Sequence, residues 1–277
     1  MRRILVPTDL STLSSHALQA AVHIAERTGA TIHLLNVVPV PGGMALNEDG
    51  IPVEDGTLDV APFLAEGERN AEAMARMAAR FQHPIVTRLC YGGIADRIMQ
   101  TVDELSIDLI VIGTKGGSSM RDRLVGLLVE HLIGRSAVPI LTLKDESPIL
   151  GLHRIIFANA FAREHQYFDI LRDLHELLGS TIELLRVNTP KDTAAVEVVR
   201  GHMDRFASDN HLVRYSKHVV KAPTVEQGVL QWTELHGGDL LAMRTHGRSG
   251  FARLIRGCVS IDLVNSLKMP ILTIRVP

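Results

Sequence analysis

Four segments of the first half of this chain recur in the second half in the same order. Arg3-Ile4-Leu5-Val6-Pro7-Thr8-Asp9-Leu10 aligns without gaps with Arg154-Ile155-Ile156-Phe157-Ala158-Asn159-Ala160-Phe161. Thr28-Gly29-Ala30-Thr31-Ile32 and the residues to Val37 align with Leu178-Gly179-Ser180-Thr181-Ile182 and the residues to Val187. Asp108-Leu109-Ile110 through Thr114-Lys115-Gly116 aligns with Asp239-Leu240-Leu241 through Thr245-His246-Gly247, and Pro139-Ile140-Leu141 with Pro270-Ile271-Leu272. The offsets are 151, 150, 131 and 131. An ordered recurrence of this kind is duplication, so each copy is expected to be a folding unit of its own. The offset falls by about 20 between residues 38 and 108, so the first copy carries extra chain, assigned to about 39–62. Pro-Gly-Gly, Asn-Glu-Asp-Gly and Glu-Asp-Gly in that stretch are turn signals. The polar link Lys144-Asp145-Glu146-Ser147-Pro148 separates the copies, giving domains at 1–146 and 151–277.

Within each copy, apolar runs alternate with helical periods. In the first copy the runs lie at 3–7, 31–38, 85–90, 109–113 and 140–143, mostly continuous, as parallel strands covered on both faces require. Ala17, Ala20, Ala21, Ile24 and Ala25 share one helical face; Ile94, Ile98, Met99, Val102 and Leu105 share another. The second copy repeats the plan. Phe168, Leu171, Leu174 and Leu178 form one stripe and Val196, Val199, Met203 and Phe206 a second. Thr224-x-x-Gln227 is a capping box for the helix carrying Val225, Val229 and Trp232. Strands alternating with helices predict an α/β fold with five parallel strands per copy and right-handed crossovers.

Several function classes are excluded at this level. A net charge of −2 gives no basic footprint for nucleic acid. The two cysteines, Cys90 and Cys258, form no Cys-x-x-Cys pair. No apolar run approaches the roughly 18 residues of a membrane helix, and the apolar start Ile4-Leu5-Val6 is too short for a signal peptide. A cytoplasmic protein without membrane or nucleic-acid partners is expected. The thirteen histidines make no metal-binding motif, and no Gly-x-Ser-x-Gly elbow, Walker loop or Gly-x-Gly-x-x-Gly turn occurs. No catalytic residue and no metal ligand is assigned.

Open parallel sheets bind ligands beyond the carboxyl ends of their strands, where the strand order reverses. Two loops of the first copy suit such a place. Pro7-Thr8-Asp9 follows the first strand and puts a carboxylate acceptor there. Gly113-Thr114-Lys115-Gly116-Gly117-Ser118-Ser119 follows the fourth, and its glycines let backbone N–H groups approach an anion. Gly126 is expected to open the next helix, whose positive end favours phosphate. Each feature also has a plain structural reading, a tight turn for the glycines and a cap for Asp9.

Val6-Pro7-Thr8-Asp9, Gly113-x2-Gly116-x9-Gly126 and the closing Ala137-Val138-Pro139-Ile140-Leu141 together resemble the universal stress protein family. So does Thr245-His246-Gly247-Arg248-Ser249-Gly250 of the second copy, which runs on to Gly257-Cys258 and Met269-Pro270. The resemblance covers both copies. It implies two tandem Rossmann-like (adenine nucleotide alpha hydrolase-like) domains, each a five-stranded parallel sheet of order 3-2-1-4-5 with helices on both faces. It implies a nucleotide site in the first domain. Pro7, Thr8 and Asp9 would lie near adenine and ribose, and Val38 would flank the adenine. Gly113, Thr114, Gly116, Gly126, Leu127 and Leu128 would hold ribose and phosphates. The implied ligand is ATP, with or without Mg²⁺. The implied pairing of the copies is through their last strands, Ile140–Leu143 and Ile271–Arg275, and two chains could then form a homodimer.

The departures bear on function. Leu127 stands where the family has a Ser or Thr, losing a hydroxyl donor to phosphate worth about 1.5–3 kcal/mol. Lys115 is either a compensating phosphate partner or a solvated lysine. In the second copy Ala160 replaces Asp9, Arg244 replaces Gly113 and Cys258 replaces the Ser or Thr, a degenerate site in which Arg244 and Arg248 could at most take a small anion. The expected function is a stress-response regulator binding an adenine nucleotide in domain 1. The rival is a nucleotide-independent interaction protein of the same fold; a slow ATPase or small-ligand hydrolase comes third. The 39–62 insertion, beside the end of the second strand, is either a lid or a variable loop.

Overall fold

In the computed structural model the described residues are 1–56, 58–114, 120–144, 152–161, 168–246, 267 and 269–276. The first copy contains β1 (Arg3–Pro7), α1 (Thr12–Thr28), β2 (Thr31–Val38), α2 (Ala61–Ala78), β3 (Ile85–Tyr91), α3 (Ile94–Glu104), β4 (Leu109–Gly113), α4 (Met120–Arg135) and β5 (Ile140–Leu143). The second contains β6 (Arg154–Ala158), α5 (Asp169–Leu178), β7 (Thr181–Asn188), α6 (Val196–Asp209), β8 (Tyr215–Lys221), α7 (Val225–His236), β9 (Leu240–His246) and β10 (Ile271–Val276).

All ten strands form one sheet of order β3-β2-β1-β4-β5-β10-β9-β6-β7-β8. Each half has the order 3-2-1-4-5 and is parallel throughout. The halves join where β5 and β10 run antiparallel, with Thr142 opposite Ile271 and Ile140 opposite Thr273. Thr142 Oγ1 donates to the Ile271 carbonyl at 3.1 Å, and Thr273 Oγ1 to that of Ile140 at 3.3 Å. Neither last strand is left as an open edge, where unpaired backbone groups would invite aggregation.

The elements form for local reasons. Ser11 caps α1 through the Ser14 N–H, and the helix stops at Gly29, whose φ of 70° ends it without a Cβ penalty. The buried side of α1 carries Ala17, Ala20, Ala21, Ile24 and Ala25, the face its periodicity predicts. Thr224 accepts from the Gln227 N–H at 3.1 Å, the first half of the capping box. Helix α2 begins at Ala61, with Pro62 in its first turn, so the last two residues of the expected insertion are helical. The rest holds an antiparallel bridge between Leu46 and Pro52, closed by Asn47.

On one face of the sheet the core is continuous across both copies, running from Ile4, Leu34 and Leu141 to Leu272, Ile155 and Leu184. On the other face each copy keeps a separate core, around Ile98 and Leu132 in the first and Val229 and Leu241 in the second. Further ties cross the junction. Arg27 Nη1 donates to the Leu177 carbonyl at 2.6 Å, and the amino terminus pairs with Asp173 at 3.2 Å.

His175 lies inside this shared layer, 3% exposed, with Nδ1 unpartnered among the described residues. Burial lowers its pKa from 6.5, against an opposing backbone contact with Ser180. A histidine depressed in the folded state takes up its proton more readily when unfolded. Its stabilisation is therefore complete above pH 6.5 and is lost as pH falls through 6.5 toward the folded value. The urea midpoint is expected to fall on acidification below 6.5, and less steeply in His175→Ala. An equal slope in that variant would place the acid sensitivity elsewhere.

Candidate functional site

The chain turns sharply as it leaves β1. The Thr8 N–H still donates to the Leu35 carbonyl at 2.8 Å, as in a strand. Its hydroxyl then bonds Ser14 Oγ at 2.8 Å and accepts from the Leu10 N–H at 3.0 Å, while Asp9 Oδ1 accepts from the Ser11 N–H at 3.1 Å. Leu10 has a φ of 64°, a left-handed conformation costly for a branched side chain. Phe161, its counterpart, has a φ of 46°, so both copies make the same turn. The turn leaves Asp9, an exposed carboxylate, at the carboxyl end of the sheet.

There a cavity of about 670 Å³ opens between β1 and β4, within the size range of small-molecule sites. Of the residues expected at a site, Pro7, Thr8, Asp9, Gly113 and Leu128 line it. Others come from elements that motif reading did not connect with it: His16 from α1, Asn36 from β2, Glu66 and Asn70 from α2, Ile94 and Ile98 from α3. Asn36 Nδ2 donates to the Thr8 carbonyl at 2.8 Å, and Asn36 Oδ1 accepts from Asn70 Nδ2 at 2.9 Å. The one sequence signal for this network is Asn36 itself, a polar residue in the otherwise apolar end of β2 and only 5% exposed. The buried Nδ1 of His16 has no partner among the described residues.

Val38 is not among the lining residues. It is fully buried, and its carbonyl accepts from the Gly92 N–H at 3.1 Å; Val37 and Pro39 face the cavity instead. Side chains alternate along a strand, so a shift of one residue exchanges the faces. From the insertion only Pro39 is among the lining residues, so the described part of that loop does not lid the cavity.

Gly126 does not open a helix. It is the seventh residue of α4, and the N–H groups of Gly126, Leu127 and Leu128 fall in its interior, where the helical ladder uses them. Leu127 is 58% exposed. Gly113 has a different reason for being glycine. A Cβ there would stand 2.7 Å from both Cγ and the carbonyl oxygen of Leu13, so the first turn of α1 crosses β4 in direct backbone contact. Thr114 follows, 6% exposed, its N–H bonded to the Leu143 carbonyl at 2.7 Å and its hydroxyl without a partner among the described residues. Lys115 and Gly116 lie outside the described residues, as do Gly247, Arg248, Gly257 and Cys258.

The second copy keeps the turn and places different polar groups beside it. The Asn159 N–H repeats the bond of Thr8, reaching the Leu185 carbonyl at 3.1 Å. Arg186 holds the place of Asn36. Its guanidinium donates to the Ala160 carbonyl at 2.7 Å and to Asn188 Oδ1 at 3.0 Å, and pairs with Asp192. Burial works against the Asp192 carboxylate, but the Thr189 donors and Arg186 outweigh it and hold its pKa below the usual value. Arg244, half-buried, occupies the position of Gly113. Helix α5 starts at Asp169, later than its counterpart α1 in the first copy. A nearby cavity, lined by Thr189, Asp192 and Lys221, lies toward β8 rather than over β6 and β9.

Comparison with known proteins places this geometry. The model of the universal stress protein family matches residues 1–144 and 164–275. Universal stress protein MJ0531 of Methanocaldococcus jannaschii is 28% identical over 144 residues, covering 52% of this chain and 82% of its own. Universal stress protein G of Salmonella typhimurium is 26% identical over 149 residues, covering 52% of this chain and 99% of its own. A universal stress protein structure from Archaeoglobus fulgidus superposes over 99% of this chain and 96% of its own, with a TM-score of 0.74 at 16% identity. That likeness concerns the fold.

Proposed function

Since the chain belongs to the universal stress protein family, with two family segments in tandem, we propose that its first domain binds ATP or a related adenine nucleotide as a stress-response regulator. In this reading the domains are 1–146 and 151–277, and the second is a structural partner with a degenerate site. The carrying observation is the cavity of about 670 Å³ at the carboxyl ends of β1 and β4, the point where the strand order reverses. Asp9 supplies an acceptor for ribose or adenine donors, and Pro7, Val37 and Pro39 supply apolar walls for a flat ring. Gly113 lines the side toward the phosphates. Mg²⁺ would arrive with the nucleotide: among the described residues no group of three His, Cys, Asp or Glu side chains could hold a metal ion.

The second copy supports the asymmetry, because Arg186 bonds the carbonyl of Ala160, the counterpart of Asp9, and Arg244 stands in place of Gly113. Titration calorimetry with ATP and Mg²⁺ is expected to show one site per chain. Asp9→Ala is expected to weaken it at least about tenfold, the loss of a hydrogen bond to a charged group. Heat equal to dilution at high protein concentration would overturn the nucleotide reading. That outcome would favour the rival, an interaction protein, for which the exposed Leu127 on α4 is the supporting observation. Phosphate release at a rate above the uncatalysed one would instead favour a slow ATPase. Among the described residues no helix is long and apolar enough to cross a membrane. Assembly of two chains into a homodimer is part of the same proposal, read by sedimentation.

A further inference from the structure

The family motifs supply Asp9 and the glycines, but α2 supplies a second carboxylate. Glu66 and Asn70 lie four residues apart, on one face of the helix, and both line the cavity. Gly67 between them is buried, and a Cβ there would overlap the Tyr91 hydroxyl and stand 2.8 Å from its ring carbon. A helix-interior glycine costs about 1 kcal/mol relative to alanine, so its presence here lets α2 rest directly on Tyr91. That contact sets how α2 presents its polar face to the cavity.

The three polar groups differ in how they are committed. Asn36 and Asn70 are oriented by their mutual bond and by the bond from Asn36 to Thr8. Glu66 is half-buried and makes no hydrogen bond or ion pair among the described residues. No lysine or arginine is among the described lining residues. An ionised carboxylate accepts and never donates. Half withdrawn from water, it gains most from a ligand N–H or O–H and loses most against a ligand lone pair.

We propose that Glu66 is a specificity-determining residue that selects purines carrying an exocyclic amine over those carrying a carbonyl at the same ring position. The inference rests on the nucleotide reading above. A 6-amino purine offers an N–H donor to Glu66, whereas a 6-oxo purine sets a lone pair against the carboxylate. Sites built to hydrogen-bond a substrate group reject the analogue that lacks it far more strongly than apolar pockets can.

The test compares ATP with inosine triphosphate, which share sugar and phosphates, by calorimetry on the full chain and on Glu66→Gln. Gln is isosteric, so an unchanged urea midpoint checks the fold. The unaltered chain is expected to prefer ATP by about tenfold to a hundredfold, the range for a hydrogen bond to a charged group. In Glu66→Gln, whose amide can donate or accept, the preference is expected to shrink to about threefold or less. An unchanged ratio, or an equal change for both nucleotides, would overturn the assignment of Glu66 while leaving the nucleotide reading intact. No binding of either nucleotide to the unaltered chain would overturn both.

Discussion

Phe157→Ala is expected to lower the stability of the chain by about 3–5 kcal/mol, the cost of removing a buried aromatic and leaving its cavity. Phe157 is fully buried on β6, under the shared face of the sheet. Its ring stacks on Phe206 at 5.1 Å, and meets Phe168 at 5.4 Å and Phe161 at 6.0 Å edge-on. Phe161 and Phe206 also touch, at 5.4 Å. Such pairs add about 0.5–1.5 kcal/mol beyond the area they bury. The first copy has Val6 and Leu10 where the second has Phe157 and Phe161. The aromatic cluster therefore belongs to the second domain, although the core it joins is continuous with the first. Urea unfolding measures the loss directly. A change under about 1 kcal/mol would mean that neighbouring rings collapse into the space, as happens where a core can relax.

Gly113→Ala is expected to destabilise by about 1–3 kcal/mol, as inserting a methyl into filled space does. The obstruction is backbone, the Leu13 carbonyl at 2.7 Å from the new Cβ, so no side-chain rotation relieves it. Leu13 and its neighbours Thr12 and Ser14 line the cavity, so the displacement is also expected to abolish the nucleotide binding proposed above. Gly126→Ala is the contrasting control. Among the described residues a Cβ at Gly126 meets nothing within 4 Å, and the residue lies inside α4. That substitution is expected to stabilise by up to about 1 kcal/mol through helix propensity and to leave binding unaltered. Loss of binding in Gly126→Ala with the fold intact would show that α4 unwinds to receive the ligand.

The two glycines show what motif spacing conveys and what it does not. Both match the resemblance to the family loop, and from the sequence both read as places where backbone approaches an anion. In the folded chain Gly113 makes room for another element, and Gly126 sits in a helix with no described residue against its Cβ position. A glycine marks a missing Cβ; only the neighbours brought up by the fold say what uses the room. The neighbour at Gly113 is Leu13, a hundred residues earlier in the chain.

Duplication and strand positions were legible because each rests on local pattern or on recurrence, and the sheet order came from the resemblance to the family. The runs at 3–7, 31–38, 109–113 and 140–143 coincide with β1, β2, β4 and β5, and the repeat carried the plan into the second copy. The facing of Val37, Val38 and Pro39 was not legible. A parallel strand covered on both faces is apolar at every position, so the alternation that reveals facing is erased. Asn36, Glu66 and Asn70 could not be joined by spacing either, since α2 follows a long insertion and its polar face looks like any solvated one. The sequence by itself determined two family segments and the strand ends that carry the candidate site. Only the tertiary structure decided which side chains meet there, because β2, α2 and α3 reach the site through contacts between residues far apart in the chain.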